Sequence, residues 1–66
     1  MKSARIEFSG RTIACMVRNQ SETGAALEVE SPWGIPAQFT LSITEDKKHR
    51  CAVIWRAINL IGVKFR

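Results

Sequence analysis

Gln38-Phe39-Thr40-Leu41-Ser42-Ile43-Thr44, followed by Glu45-Asp46-Lys47-Lys48 and then by Arg50-Cys51-Ala52-Val53-Ile54-Trp55-Arg56, is the stretch that decides the fold. Its two outer runs alternate apolar and polar residues, and a charged segment separates them. Alternation with a period of two marks a strand with one buried face, because successive side chains point to opposite sides of a sheet. The pair therefore reads as a β-hairpin with Glu45 to Lys48 at an exposed tip. Phe39, Leu41, Ile43, Cys51, Val53 and Trp55 take the inward phase, and the core is the expected place for Trp55.

The same rhythm continues on both sides. Upstream, Ala25, Leu27 and Val29 alternate with Ala26, Glu28 and Glu30, and Ile13, Cys15 and Val17 alternate with Thr12, Met16 and Arg18. Turn residues from Asn19 to Gly24 join these runs, and a Ser9-Gly10 turn leads back to Ile6 and Phe8, alternating with Arg5 and Glu7. Downstream, a turn near Ala57 to Asn59 precedes Ile61, Val63 and Phe65, alternating with Gly62, Lys64 and Arg66. Ser31-Pro32-Trp33-Gly34-Ile35-Pro36 cannot be a central strand, since its prolines lack the ladder donor. Trp33 in that loop reads as a lid on the barrel end, with partner docking as the alternative.

Six short strands without a helix must close on themselves or stack to bury their apolar faces. A small six-stranded antiparallel β-barrel is the economical all-β solution, because closure also removes exposed edges. At 66 residues the chain has room for one domain, residues 1–66, with a thin core.

Composition narrows the function. No apolar run is long enough to span a bilayer, and Met1 to Gly10 lacks the pattern of a signal peptide, so a cytoplasmic home is expected. In a reducing compartment Cys15 and Cys51 read as free, buried small hydrophobes, and the glycosylation-like Asn19-Gln20-Ser21 carries no meaning. His49 stands alone between Lys48 and Arg50 and reads as a solvated surface residue. Ser21 lacks a nucleophile elbow, and no His, Cys and carboxylate spacing fits a metal. Neither an enzyme nor a resident cofactor is expected. A net charge of +4 permits an anionic partner, while nucleotide, nucleic acid and plain solubility all remain open on charge alone.

Asn19-Gln20-Ser21-Glu22-Thr23-Gly24 has two readings. As a plain turn, Asn and Ser bond neighbouring amides and Gly supplies a positive φ. The same residues match the Asp/Asn-x-Ser-x-x-Gly pattern of the PilZ domain, with Asn19, Ser21 and Gly24 in its three positions. Ala52-Val53-Ile54-Trp55-Arg56 resembles the family's Val-Val-Trp-Arg strand, and Ile61-Gly62-Val63-Lys64-Phe65 resembles its Ile-Gly-Val-x-Phe ending. Order and spacing are similar over roughly residues 11 to 66.

The resemblance implies a six-stranded barrel that binds cyclic di-GMP through Asn19, Ser21 and Gly24 and signals to a downstream protein partner. The family's Arg-x-x-x-Arg run is missing or eroded: Met1-Lys2-Ser3-Ala4-Arg5 offers one arginine, in the second position. Lys2, Arg5 and Arg18 read as partial substitutes, although ammonium groups fork onto guanine and phosphate less well than guanidinium. The rival reading is a degenerate PilZ domain, a protein-interaction module without nucleotide. A nucleic-acid-binding barrel of the OB kind fits poorly, because Phe8, Phe39, Trp55 and Phe65 fall in the inward phase rather than on an open stacking face.

Overall fold

A computed structural model describes residues 2–66. The described residues form β1 (Lys2–Phe8), β2 (Arg11–Gln20), β3 (Gly24–Glu28), a single 3-10 turn (Pro32–Gly34), β4 (Gln38–Thr44), β5 (Lys47–Arg56) and β6 (Leu60–Phe65). The strands close in the order β1-β2-β3-β6-β5-β4, and every neighbouring pair is antiparallel. The expected all-β barrel is the fold observed.

The inward phase of each strand fills the cylinder. Ile6, Leu27, Leu41 and Ile61 are fully buried, and Phe39, Cys51 and Val63 are nearly so. Cys15 and Cys51 are free thiols in this core, as expected. Burial pushes Cys15 from 9.0 up to about 11, with the nearby Cys51 adding to the shift. Burial likewise pushes Cys51 up to about 11, against a backbone hydrogen bond from Leu41 and the charge of Arg50.

The β1–β2 turn is Ser9-Gly10 with both residues at positive φ, 49° and 72°, the left-handed pair that matches the twist of a two-residue hairpin. The β2–β3 turn works differently. Gly24 has no positive φ; a Cβ there would lie 2.2 Å from the Val63 carbonyl oxygen. Glycine is needed at that position because β6 passes so close to β3, not for the turn's handedness.

Three bulges interrupt the period. They lie between Val17 and Asn19, between Ser42 and Thr44, and between Val53 and Trp55. A bulge inserts one residue and moves all that follows to the other face. Trp55 is accordingly 44% exposed, outside the barrel and not in the core where strict alternation puts it. Its indole covers Gly62, which is why the glycine is buried. Ser42 is buried beside the second bulge, and its hydroxyl donates to the Thr44 carbonyl.

The long connection at residues 29–37 also departs from expectation. Trp33 is 72% exposed and is no lid. Pro32 and Ile35 are the buried residues that cover this end of the barrel. Arg56 holds them there, donating to the carbonyls of Pro32 and Ile35, the latter at 2.7 Å. His49 differs as well: it is half-buried, with its ring stacked on Phe65 at 4.2 Å between centroids and 12° between planes.

Candidate functional site

The strand directions place the β2–β3 turn, the β4–β5 turn and both chain ends at one end of the barrel. There Ser21 organises the turn. Its amide donates to the Gly24 carbonyl at 2.8 Å, and its hydroxyl accepts from the Thr23 amide at 3.3 Å. Phe65 anchors the turn to β6 by donating its amide to the Thr23 carbonyl at 2.7 Å. The Ser21 hydroxyl stays exposed, so it retains capacity to meet a ligand.

Asn19 owes its direction to the first bulge. Cys15 and Val17 point inward, and an unbroken strand would send Asn19 inward too. Arg18 is the inserted residue, and Asn19 emerges exposed and paired with Ala26. The bulge in β5 does the same for Trp55. One lateral row then crosses four strands: Asn19 pairs with Ala26, Ala26 with Gly62, and Gly62 with Trp55. The backbones of Asn19 and Trp55 stand roughly 14 Å apart across the sheet, at about 4.8 Å per strand, and the indole reaches back over Gly62. Ala26 is the small residue left between Asn19 and the indole, and the hollow of about 450 Å³ there is also lined by Ser21, Gly24, Gly62 and Lys64.

A second hollow of about 720 Å³ lies on the other side of the turn. Lys2, Arg18, Asn19, Ser21, Glu22 and the stacked His49–Phe65 pair line it, two cations against one carboxylate. Lys2 shares the phase of the buried Ala4 and Ile6 and so stands at the mouth of the barrel, where it is exposed. Asn19 and Ser21 border both hollows, and two cations join them on one side and Gly24 on the other. Arg5 is not brought to this group. It pairs with Ala14 and Ser42 in mid-strand and lines a separate hollow with Ser3, Met16 and Ile43.

Trp55 is the site residue that alternation hides. The signal that finds it is Ile54, an apolar residue in the slot where the period calls for a polar one. Three consecutive apolar side chains in a half-buried strand indicate a break in the period. Among the described residues no cluster of His, Cys, Asp and Glu is placed to hold a metal ion.

The barrel, its polar turn and the closing strand together define a class of small closed antiparallel β-barrel domain. The PilZ domain family model matches residues 1–66, and the chain belongs to that family. PilZ domains are in general ligand-binding effector domains and not enzymes. No curated protein and no solved structure matches the chain. Among the described residues no helix is long and apolar enough to cross a membrane.

Proposed function

We propose that this chain is a cyclic di-GMP-binding effector domain acting in the cytoplasm, with the ligand seated across the Asn19–Gly24 turn. The observation that carries the reading is the shared border: Asn19 and Ser21 line both hollows, with Lys2 and Arg18 on one side and Trp55 and Lys64 on the other. An amide and a hydroxyl suit the donor and acceptor edge of guanine, and the cations suit a dianionic phosphate ring. The half-exposed indole offers a π-face to a purine, a contact worth about 1–3 kcal/mol in other base-binding sites. Gly24 keeps β3 close to β6 and so keeps the floor of the smaller hollow flat. Arg5 takes no part, and the cationic arm is Lys2 and Arg18.

The same geometry gives the rival reading its one support. With Arg5 elsewhere, one arginine stands at the turn, and a second bidentate fork is missing. A degenerate PilZ domain that engages only proteins is the reading to test against. Cyclic di-GMP titrated into the labelled domain should shift the amides of Asn19, Ser21, Gly24 and the Trp55 indole. The Asn19→Ala/Ser21→Ala variant should lose those shifts and keep the fold. A silent turn at millimolar ligand would leave the protein-interaction reading in place.

A further inference from the structure

The end of the barrel opposite the turn carries a second surface, independent of nucleotide. Trp33 and Ile58 are 72% and 81% exposed, the most exposed large hydrophobics among the described residues. Both are held in place. Ile58 lies in the β5–β6 turn, closed by the Ala57 amide donating to the Leu60 carbonyl at 2.8 Å. Trp33 lies in the 3-10 turn that Arg56 fastens through Pro32 and Ile35. The Val29 amide, donating to the Asn59 carbonyl at 3.0 Å, ties the two connections together. Single exposed apolar residues are common on protein surfaces; what distinguishes these two is that the connections carrying them are fixed to each other.

The charge beside them specifies the occupant. Glu28 and Glu30 line a hollow of about 480 Å³ with Ile13, Ala14, Val29 and Asn59, directly beside Ile58, and no cation lines it. Of the cations at this end, Arg56 is committed to the loop carbonyls and Arg11 lies over the Phe8 ring, 5.8 Å from its centroid. Neither carboxylate takes part in a salt bridge; among the described residues that interaction is limited to Lys48 and Glu7. On a chain of net charge +4, two carboxylates without a salt bridge, joined to the β5–β6 turn through the Val29–Asn59 hydrogen bond, are a local reversal of sign.

We propose that this end docks a basic amphipathic segment of a partner protein, with apolar side chains on Trp33 and Ile58 and lysine or arginine at Glu28 and Glu30. Buried aromatic anchors with a charged rim are the usual anatomy of such contacts. The rim carboxylates select a cationic partner and speed its arrival.

A synthetic amphipathic Leu/Lys peptide tests this, with a Leu/Glu peptide of the same spacing as its control and no nucleotide present. The Leu/Lys peptide should shift the amides of Glu30, Trp33, Ile58 and Asn59, and the Leu/Glu peptide should not. Glu28→Lys/Glu30→Lys should weaken binding about tenfold or more, in a salt-dependent way. Trp33→Ser/Ile58→Ser should abolish it, with an unchanged melting temperature showing that the fold survives. Equal binding of both peptides, shifts confined to the Asn19–Gly24 end, or no shift in either titration would overturn the proposal. So would self-association in sedimentation that buries Trp33, or binding to anionic vesicles that survives the Trp33→Ser/Ile58→Ser change.

Discussion

At the end that carries Asn19 to Gly24, the chain reverses in a short hydrophilic turn, and the side chains around it are amide, hydroxyl and cation with one carboxylate, Glu22. At the other end a connection of residues 29–37 folds back over the core, and it exposes one large hydrophobic side chain, Trp33. The first end is tied by backbone hydrogen bonds of Ser21 and Phe65. The second has backbone ties as well, Val29 to Asn59 and Ala57 to Leu60, and adds one arginine side chain that reaches two carbonyls. At the first end the backbone ties alone suffice, and the side chains stay free for a small polar ligand. An arginine tie consumes the local cation and leaves apolar surface beside unpaired carboxylates. Two surfaces with different chemistry can thus sit on one small barrel without competing for residues.

The largest expected effect falls on the core that both ends share, and it calibrates the others. Cys15 and Cys51 keep their protons to about pH 11, whereas unfolded thiols release them near 9.0. Between those values the unfolded chain binds fewer protons than the folded one, so stability falls as pH rises from 9.0 towards 11 and is untouched below that window. The loss should be on the order of a few kcal/mol when urea midpoints are followed across the window. Cys15→Ala/Cys51→Ala should start lower at neutral pH and show a flatter slope. An equal slope would mean that other groups carry the alkaline transition.

Next in size is a change at the turn end alone. Gly24→Ala puts a methyl 2.2 Å from the Val63 carbonyl, and backbone cannot step aside cheaply. A destabilisation of about 2 kcal/mol is expected by urea denaturation, with β3 parted from β6. Gly62→Ala is the contrast. Its methyl meets the Trp55 indole at 2.1 Å, and a side chain on the surface can swing away. That variant should cost less and raise the solvent exposure of Trp55, read as a red shift in its fluorescence. If the two variants cost the same, the floor of the site is less rigid than the β3–β6 contact implies.

Arg56→Met makes the matching cut at the other end. It removes a charged donor from two carbonyls, for an expected loss of about 1.5 kcal/mol. Amide exchange at Ile35, whose N–H donates to the Pro32 carbonyl at 3.3 Å, should quicken while the Asn19–Gly24 amides stay as they were. Exchange rising at both ends would show that the ends are coupled and not separately tied.

The barrel was legible from the alternation because each strand has one buried face, and that face must have a partner. Closure followed from the same need. The bulge at Arg18 was not legible, since a polar residue there keeps the alternation intact, and the one at Ile54 left a single trace, an apolar residue in a polar slot. Yet bulges set the direction of Asn19 and Trp55, so the motif could be found in sequence while the row of four residues it belongs to could not. Trp33 was misplaced for a related reason: a Pro-flanked aromatic suits a lid, but Pro32 and Ile35 fill that space first, under the hold of Arg56. Arg5 matched a motif position by spacing, yet its pairing with Ala14 and Ser42 leaves it in mid-strand.

The smallest effect concerns a charge that belongs to neither surface. Lys48 Nζ lies 3.4 Å from Glu7 Oε1, with the two side chains 49% and 32% exposed. Exposed pairs contribute little, so Lys48→Met should change stability by less than about 0.5 kcal/mol. Its value lies in separating position from total charge. Lys48 does not line the hollow that holds Lys2 and Arg18, but its loss lowers the net charge by the same amount as the loss of either. If nucleotide is read by placed cations, Lys2→Met and Arg18→Met should each weaken binding well beyond Lys48→Met at physiological salt, where screening dulls distant charges. Three equal losses would mean that the turn end attracts its ligand by overall charge, and the placement of Arg18 by its bulge would then have no part in recognition.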